Sequence, residues 1–177
     1  SATIGLNGGV LNVSAGAGGN GNGNLSINNG SFLNLSSNLI EGGLPVGGNV
    51  TAGNLTINTG GSLSNVFGSN VVVTGTLLNN GVMNLQNSQL TTGSMTNSAS
   101  MTLGNVSGAL GTVVNSGTLG LSNLFTPVTA NSVSNSGTLT LTSSSTLTTT
   151  GTLTNAAGGS VTLNSSTLNV NTNLFNS

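Results

Sequence analysis

The segment NSGTLTL, residues 135–141, returns along the chain at nearly constant spacing. Residues 115–121 read NSGTLGL, residues 97–103 read NSASMTL, and residues 79–85 read NNGVMNL. Each leading asparagine follows an apolar residue by two: Leu77, Met95, Val113 and Val133. Leu153 and Asn155 continue the series. The asparagines are therefore spaced by 18, 18, 20 and 20 residues. A repeat of this length dominates all other local signals, because one unit is too short to bury an apolar face alone.

Within a unit, short alternating runs of two to four residues are separated by Gly, Asn and Ser turns. Asn-Gly, Ser-Gly and Gly-Gly reach positive φ at low cost. Hairpin strands run to five or six residues, so a hairpin array fits poorly. Stacking the units fits better. The fold class expected is all-β, a parallel β-helix (β-solenoid) of about eight coils with 18–22 residues per coil. Like residues then lie over like: Leu, Met and Val in columns, and Asn79, Asn97, Asn115, Asn135 and Asn155 in a side-chain amide ladder. Stacked amides satisfy one another's donors and acceptors. A further apolar column is expected through Leu39, Val73, Leu90, Leu110, Val128, Leu147 and Leu168. Residues 1–177 are expected to form a single solenoid domain, or a segment of a longer repeat protein, with loop insertions at 14–24 and 36–52.

Charge is nearly absent. The 177 residues hold no Lys, Arg, His or Cys, and Asp plus Glu total 1, the residue Glu41. Hydrophobic residues make up 34%, yet mean hydropathy is +0.25, so the apolar residues are diluted by Ser, Thr, Asn and Gly. Disorder through charge repulsion is unavailable to such a chain. Binding to nucleic acid requires Lys or Arg against phosphate, and anionic membrane surfaces require basic clusters. No apolar run approaches the roughly 20 residues of a membrane helix.

The motifs GTLTN, NSGTLTL and GSVTLNSSTLNV resemble the passenger regions of bacterial autotransporter adhesins and filamentous haemagglutinin-like proteins. The resemblance is one of repeat style and runs from about residue 25 to residue 170. It implies a right-handed β-helix at the cell surface or in the extracellular medium, serving adhesion, autoaggregation or biofilm. The chain departs from that family in carrying almost no charge, and no translocator barrel lies within these residues.

The chemistry expected is correspondingly sparse. General acid–base catalysis needs placed titratable groups, glycoside hydrolysis needs two carboxylates, and Glu41 is alone. Calcium sites need several carboxylates and zinc sites need His or Cys. No enzyme, cofactor or metal site is therefore expected. The insertion EGGLPVGG, with Leu39, Glu41, Leu44 and Pro45, is a candidate interaction loop. Sequons at Asn12, Asn54 and Asn105 follow from a composition rich in Asn, Ser and Thr. Thr138, Thr140 and Thr142 share one strand face, which raises ice binding as a distant alternative. The functional expectation is an extracellular adhesive or structural protein. Its partners would be copies of itself or glycan and cell-surface ligands; a self-polymerising fibre, sheath or surface-layer subunit is the alternative.

Overall fold

The computed structural model describes residues 3–6, 10–13, 23–28, 30–35, 49–65 and 68–177. All of its regular structure is β, and every strand pairing is parallel. The strands stack in three columns. The first column contains β1 (Thr3–Leu6), β3 (Asn24–Ile27), β6 (Asn54–Ile57), the ends of β8 (Asn70–Asn79) and β9 (Val82–Asn97), and β11 (Thr112–Asn115). It continues through β14 (Ser132–Asn135), β17 (Leu153–Asn155) and β20 (Leu174–Asn176).

The second column contains β2 (Val10–Val13), β4 (Phe32–Leu35), β7 (Ser62–Asn65), the start of β9 and the start of β10 (Ser100–Ala109). Above these lie β12 (Thr118–Ser122), β15 (Thr138–Thr142) and β18 (Ser160–Asn164). The third column runs from β5 (Val50–Ala52) through β8, β9 and β10 to β13 (Val128–Ala130), β16 (Thr146–Thr149) and β19 (Thr167–Val170). The chain is a β-solenoid. Six complete three-sided turns lie between Val50 and Asn164, and each of the two preceding coils adds two described sides. The expected eight coils are thus an approximation.

The interior follows from strand alternation, which sends residues two apart to the same face. The first column stacks Leu25, Leu55, Leu77, Met95, Val113, Val133 and Leu153 inward, all of them buried. The second stacks Leu33, Leu63, Met83, Met101, Leu119 and Leu139 in the same way. In the third, Val50, Val71, Leu90, Val128 and Leu147 occupy one inward row. Val73 does not belong to that row: it stacks on Ala52, two residues along the strand from Val71. Leu110 likewise lies two residues past Gly108, the residue opposite Val128. Glycine stands in that row at φ 131°, where an added Cβ would run into the Leu90 backbone, and Val106 and Leu110, both only 1% exposed, fill the core on either side of it.

Strand lengths also depart from expectation. β9 extends over 16 residues and β8 and β10 over 10 each, where two to four were expected. For β9 and β10 the cause is coil length. The coils from Asn79 to Asn115 span 18 residues each, which leaves no room for a separate turn. The chain instead bends at single left-handed residues, Asn87 (φ 50°) and Asn105 (φ 48°), and the strand continues through the corner. Asparagine is among the few non-glycine residues that adopt this conformation readily.

Candidate functional site

The most ordered polar feature of the molecule is the amide ladder. Asn79, Asn97, Asn115 and Asn135 are fully buried, and Asn155 is nearly so. Asn79 Nδ2 donates to Asn97 Oδ1 at 2.7 Å, and Asn97 Nδ2 donates to Asn115 Oδ1 at 2.8 Å. Asn115 and Asn135 repeat the bond to Asn135 and Asn155, each at 2.7 Å. Each Nδ2 also reaches the backbone carbonyl that opens the next coil's second strand: Ser100, Thr118, Thr138 and Ser160, at 2.9 to 3.0 Å. The amides therefore replace one aliphatic column without leaving buried donors unpaired, which would otherwise cost about 1–3 kcal/mol each.

Two features of the ladder were not read from the sequence. Its upper end is Asn176, which accepts from Asn155 Nδ2 at 2.8 Å; the triplet Leu174-Phe175-Asn176 carries the same signal as Leu153-Thr154-Asn155. Its lower end rests on Ile57, which pairs with Asn79, and below that on Ile27. Asn28 and Asn58 lie one residue later and form their own bond, Asn58 Nδ2 to Asn28 Oδ1 at 2.6 Å. Other side-chain amides brace the corners. Asn105 Nδ2 donates to Asn87 Oδ1 at 2.8 Å, and Asn65 bonds Ser88 Oγ and the Gln86 backbone.

The outside of the second column is a flat polar face. Its outward rows run Val82, Ser100, Thr118, Thr138, Ser160 and Asn84, Thr102, Gly120, Thr140, Thr162. Alternate residues on a strand lie about 6.6 Å apart and rungs about 4.8 Å apart, so the face presents a regular grid of hydroxyls and amides. The first column's outer row is mixed: Thr96, Val114, Ser134 and Thr154, ending at Phe175. Phe125, in the corner between β12 and β13, is 85% exposed while its neighbour Leu124 plugs the core.

The interaction loop of Leu39, Glu41, Leu44 and Pro45 lies outside the described residues. Of the sequons, Asn105 is half-buried with its amide nitrogen engaged by Asn87, and Asn54 is exposed, accepting from Thr76 N at 2.9 Å. Among the described residues there is no cluster of three or more His, Cys, Asp or Glu that could hold a metal. Compared with family models, curated proteins and solved structures, the chain matches none.

Proposed function

We propose that this chain is an extracellular structural and adhesive shaft that makes contacts through its flat faces rather than through a pocket. The second-column face carries this reading. Two rows, each five rungs deep, present Ser, Thr, Asn and Gly, with Val82 the single apolar residue. Such a surface offers many neutral hydrogen bonds in a fixed array. It suits uncharged partners: glycans of a cell surface, or the same face on another copy. The motif resemblance to autotransporter passengers and filamentous haemagglutinin-like proteins supports placement at the cell exterior, with adhesion, autoaggregation and biofilm as the activities it would serve. With Glu41 the sole side-chain acid and no His, Lys, Arg or Cys, the reading includes no catalysis, no cofactor, no nucleic-acid binding and no membrane insertion by this segment.

A second reading, a polymerising subunit of a fibre, sheath or surface layer, is favoured by the near absence of charge, which leaves little repulsion between copies. Ice binding draws less support, because Asn84 and Gly120 interrupt the threonine row. The test measures retention of the purified chain on polysaccharide-coated and bare surfaces, beside its solution mass and electron micrographs. Retention by a 17.1 kDa monomer supports the shaft. Spontaneous fibres support the subunit reading. A monomer that washes off every surface overturns both.

A further inference from the structure

Among the described residues, two glycines interrupt the outward rows of the second column, Gly104 and Gly120. The chain treats them differently. Gly104 pairs with Gln86, whose side-chain amide occupies the place a Cβ would take. That amide is held by a bond from Gln86 Nε2 to Asn84 Oδ1 at 2.9 Å, and Gly104 is buried beneath it. No side chain fills the gap at Gly120, where an added Cβ would meet only Met101 O, at 3.9 Å. The result is a notch one side chain deep in an otherwise continuous polar face.

Four hydroxyls rim the notch. Thr118 and Ser122 flank Gly120 along β12, and Thr102 and Thr140 lie below and above it. Strand geometry puts the first pair about 13 Å apart and the second about 10 Å apart, an opening that admits one pyranose ring. Among the described residues no other group of the chain engages these hydroxyls, so each keeps its donor and acceptor capacity. Phe125 lies three residues past Ser122 on the same coil, within about 10 Å of chain. It is 85% exposed. Its coil spans 20 residues against 18 in the coil below, and Leu124 already fills the core at that corner. Packing therefore makes no use of the Phe125 ring.

These features select a class of ligand. A sugar ring carries hydroxyls at its rim and C–H groups on its faces. The rim matches the Thr and Ser hydroxyls, and a C–H face matches an aromatic ring. The surface holds no charged side chain, so a carboxylate or sulfate would lose water and gain no partner. β12 runs straight past the notch, so a ligand reaching from Gly120 to Phe125 is an extended one. We propose that the Gly120 notch is the subsite for one ring of an uncharged, extended β-linked glycan, with Phe125 stacking on a neighbouring ring. The proposal rests on the adhesive reading and names its ligand.

The test titrates cellohexaose into the isotope-labelled full chain and follows backbone amide shifts, with the acidic hexamer of galacturonic acid as the comparison. Cellohexaose is expected to move Thr118, Gly120, Ser122 and Phe125, and the acidic hexamer to move none of them. The deciding variant is Gly120→Thr. It supplies the residue that the row carries at Thr102 and Thr140, and it adds one more hydroxyl. A face that held sugars anywhere along its rows would bind cellohexaose at least as well as before. The notch instead predicts binding about tenfold weaker. Phe125→Ala, at an exposed position, is expected to weaken binding about threefold. Thermal melts matching the parent show that both variants are folded. Equal affinity of parent and Gly120→Thr, shifts confined to residues away from β12, equal binding of the acidic hexamer, or no binding of cellohexaose would each overturn the proposal. None of these overturns the adhesive shaft, which falls only if the parent chain is retained on no surface at all.

Discussion

Asn115 shows at the residue scale what the ladder holds together. Its amide accepts from Asn97 Nδ2 and donates to Asn135 Oδ1, to Thr138 O at 3.0 Å and to Gly117 O at 3.2 Å. Asn115→Ala breaks the ladder in the middle and leaves buried amide groups on both sides short of a partner. The expected loss is about 2–3 kcal/mol in a denaturant unfolding curve. Asn176→Ala, at the exposed end, is expected to stay within about 0.5 kcal/mol of the parent. Asn115→Asp adds a pH test. A carboxyl in this buried site is pushed above its unfolded pKa of about 3.9, because burial penalises the charged form. The folded state then binds more protons than the unfolded state, so stability falls as pH rises through and above that value. The Asn115→Asp variant should unfold at lower temperature at neutral pH than near pH ~3, whereas the parent, which has no titratable group in the ladder, should show no such shift. The ladder members from Asn79 to Asn155 were legible because the apolar-x-Asn triplet recurs at coil spacing. The Ile57–Asn79 junction was not, since Asn58 mimics the repeat and only the strand register shows that Ile57 carries the column.

At the scale of the coil, close backbone approach decides which positions accept a side chain. A Cβ on Gly117 would lie 2.1 Å from Ala99 O and 2.5 Å from Ala99 N, both backbone atoms of the coil below. A Cβ on Gly120, on the outer face of β12, would meet nothing nearer than Met101 O at 3.9 Å. Gly117→Ala should therefore cost more than about 2 kcal/mol. Gly120→Ala should be neutral or stabilise by up to about 1 kcal/mol, through the lower entropy of the unfolded chain. Paired thermal melts check both. Strand existence and the inward columns followed from alternation in the sequence. The corners did not: Asn87, Asn105 and Asn123, with φ between 48° and 53°, bend the chain within otherwise ordinary Asn-rich text. Whether an asparagine stacks in a ladder, caps a turn or makes a left-handed corner depends on its offset from the apolar pair, and an offset of one residue changes the role. Val73 and Leu110 were assigned to the wrong row for the same reason.

At the scale of the whole molecule, three parallel columns enclose one continuous aliphatic core from Leu25 to Leu153, and the exterior is neutral. Backbone ladders, stacked side chains and the amide column hold such a shaft together with almost nothing for salt to screen. The function proposed here follows from that exterior, so its contacts should be as indifferent to ionic strength as its fold. The deciding measurement displays the chain on the surface of a non-adherent bacterial cell and follows settling of the suspension and retention on a polysaccharide-coated surface. The comparison is made at about 0.01 M and about 1 M NaCl, where the Debye length falls from about 30 Å to about 3 Å. Displaying cells are expected to settle or be retained to the same extent at both salts, and cells without the chain to do neither. Displaying cells that stay dispersed and unretained at both salts, or contacts that vanish at the higher one, would contradict the account of a neutral adhesive shaft.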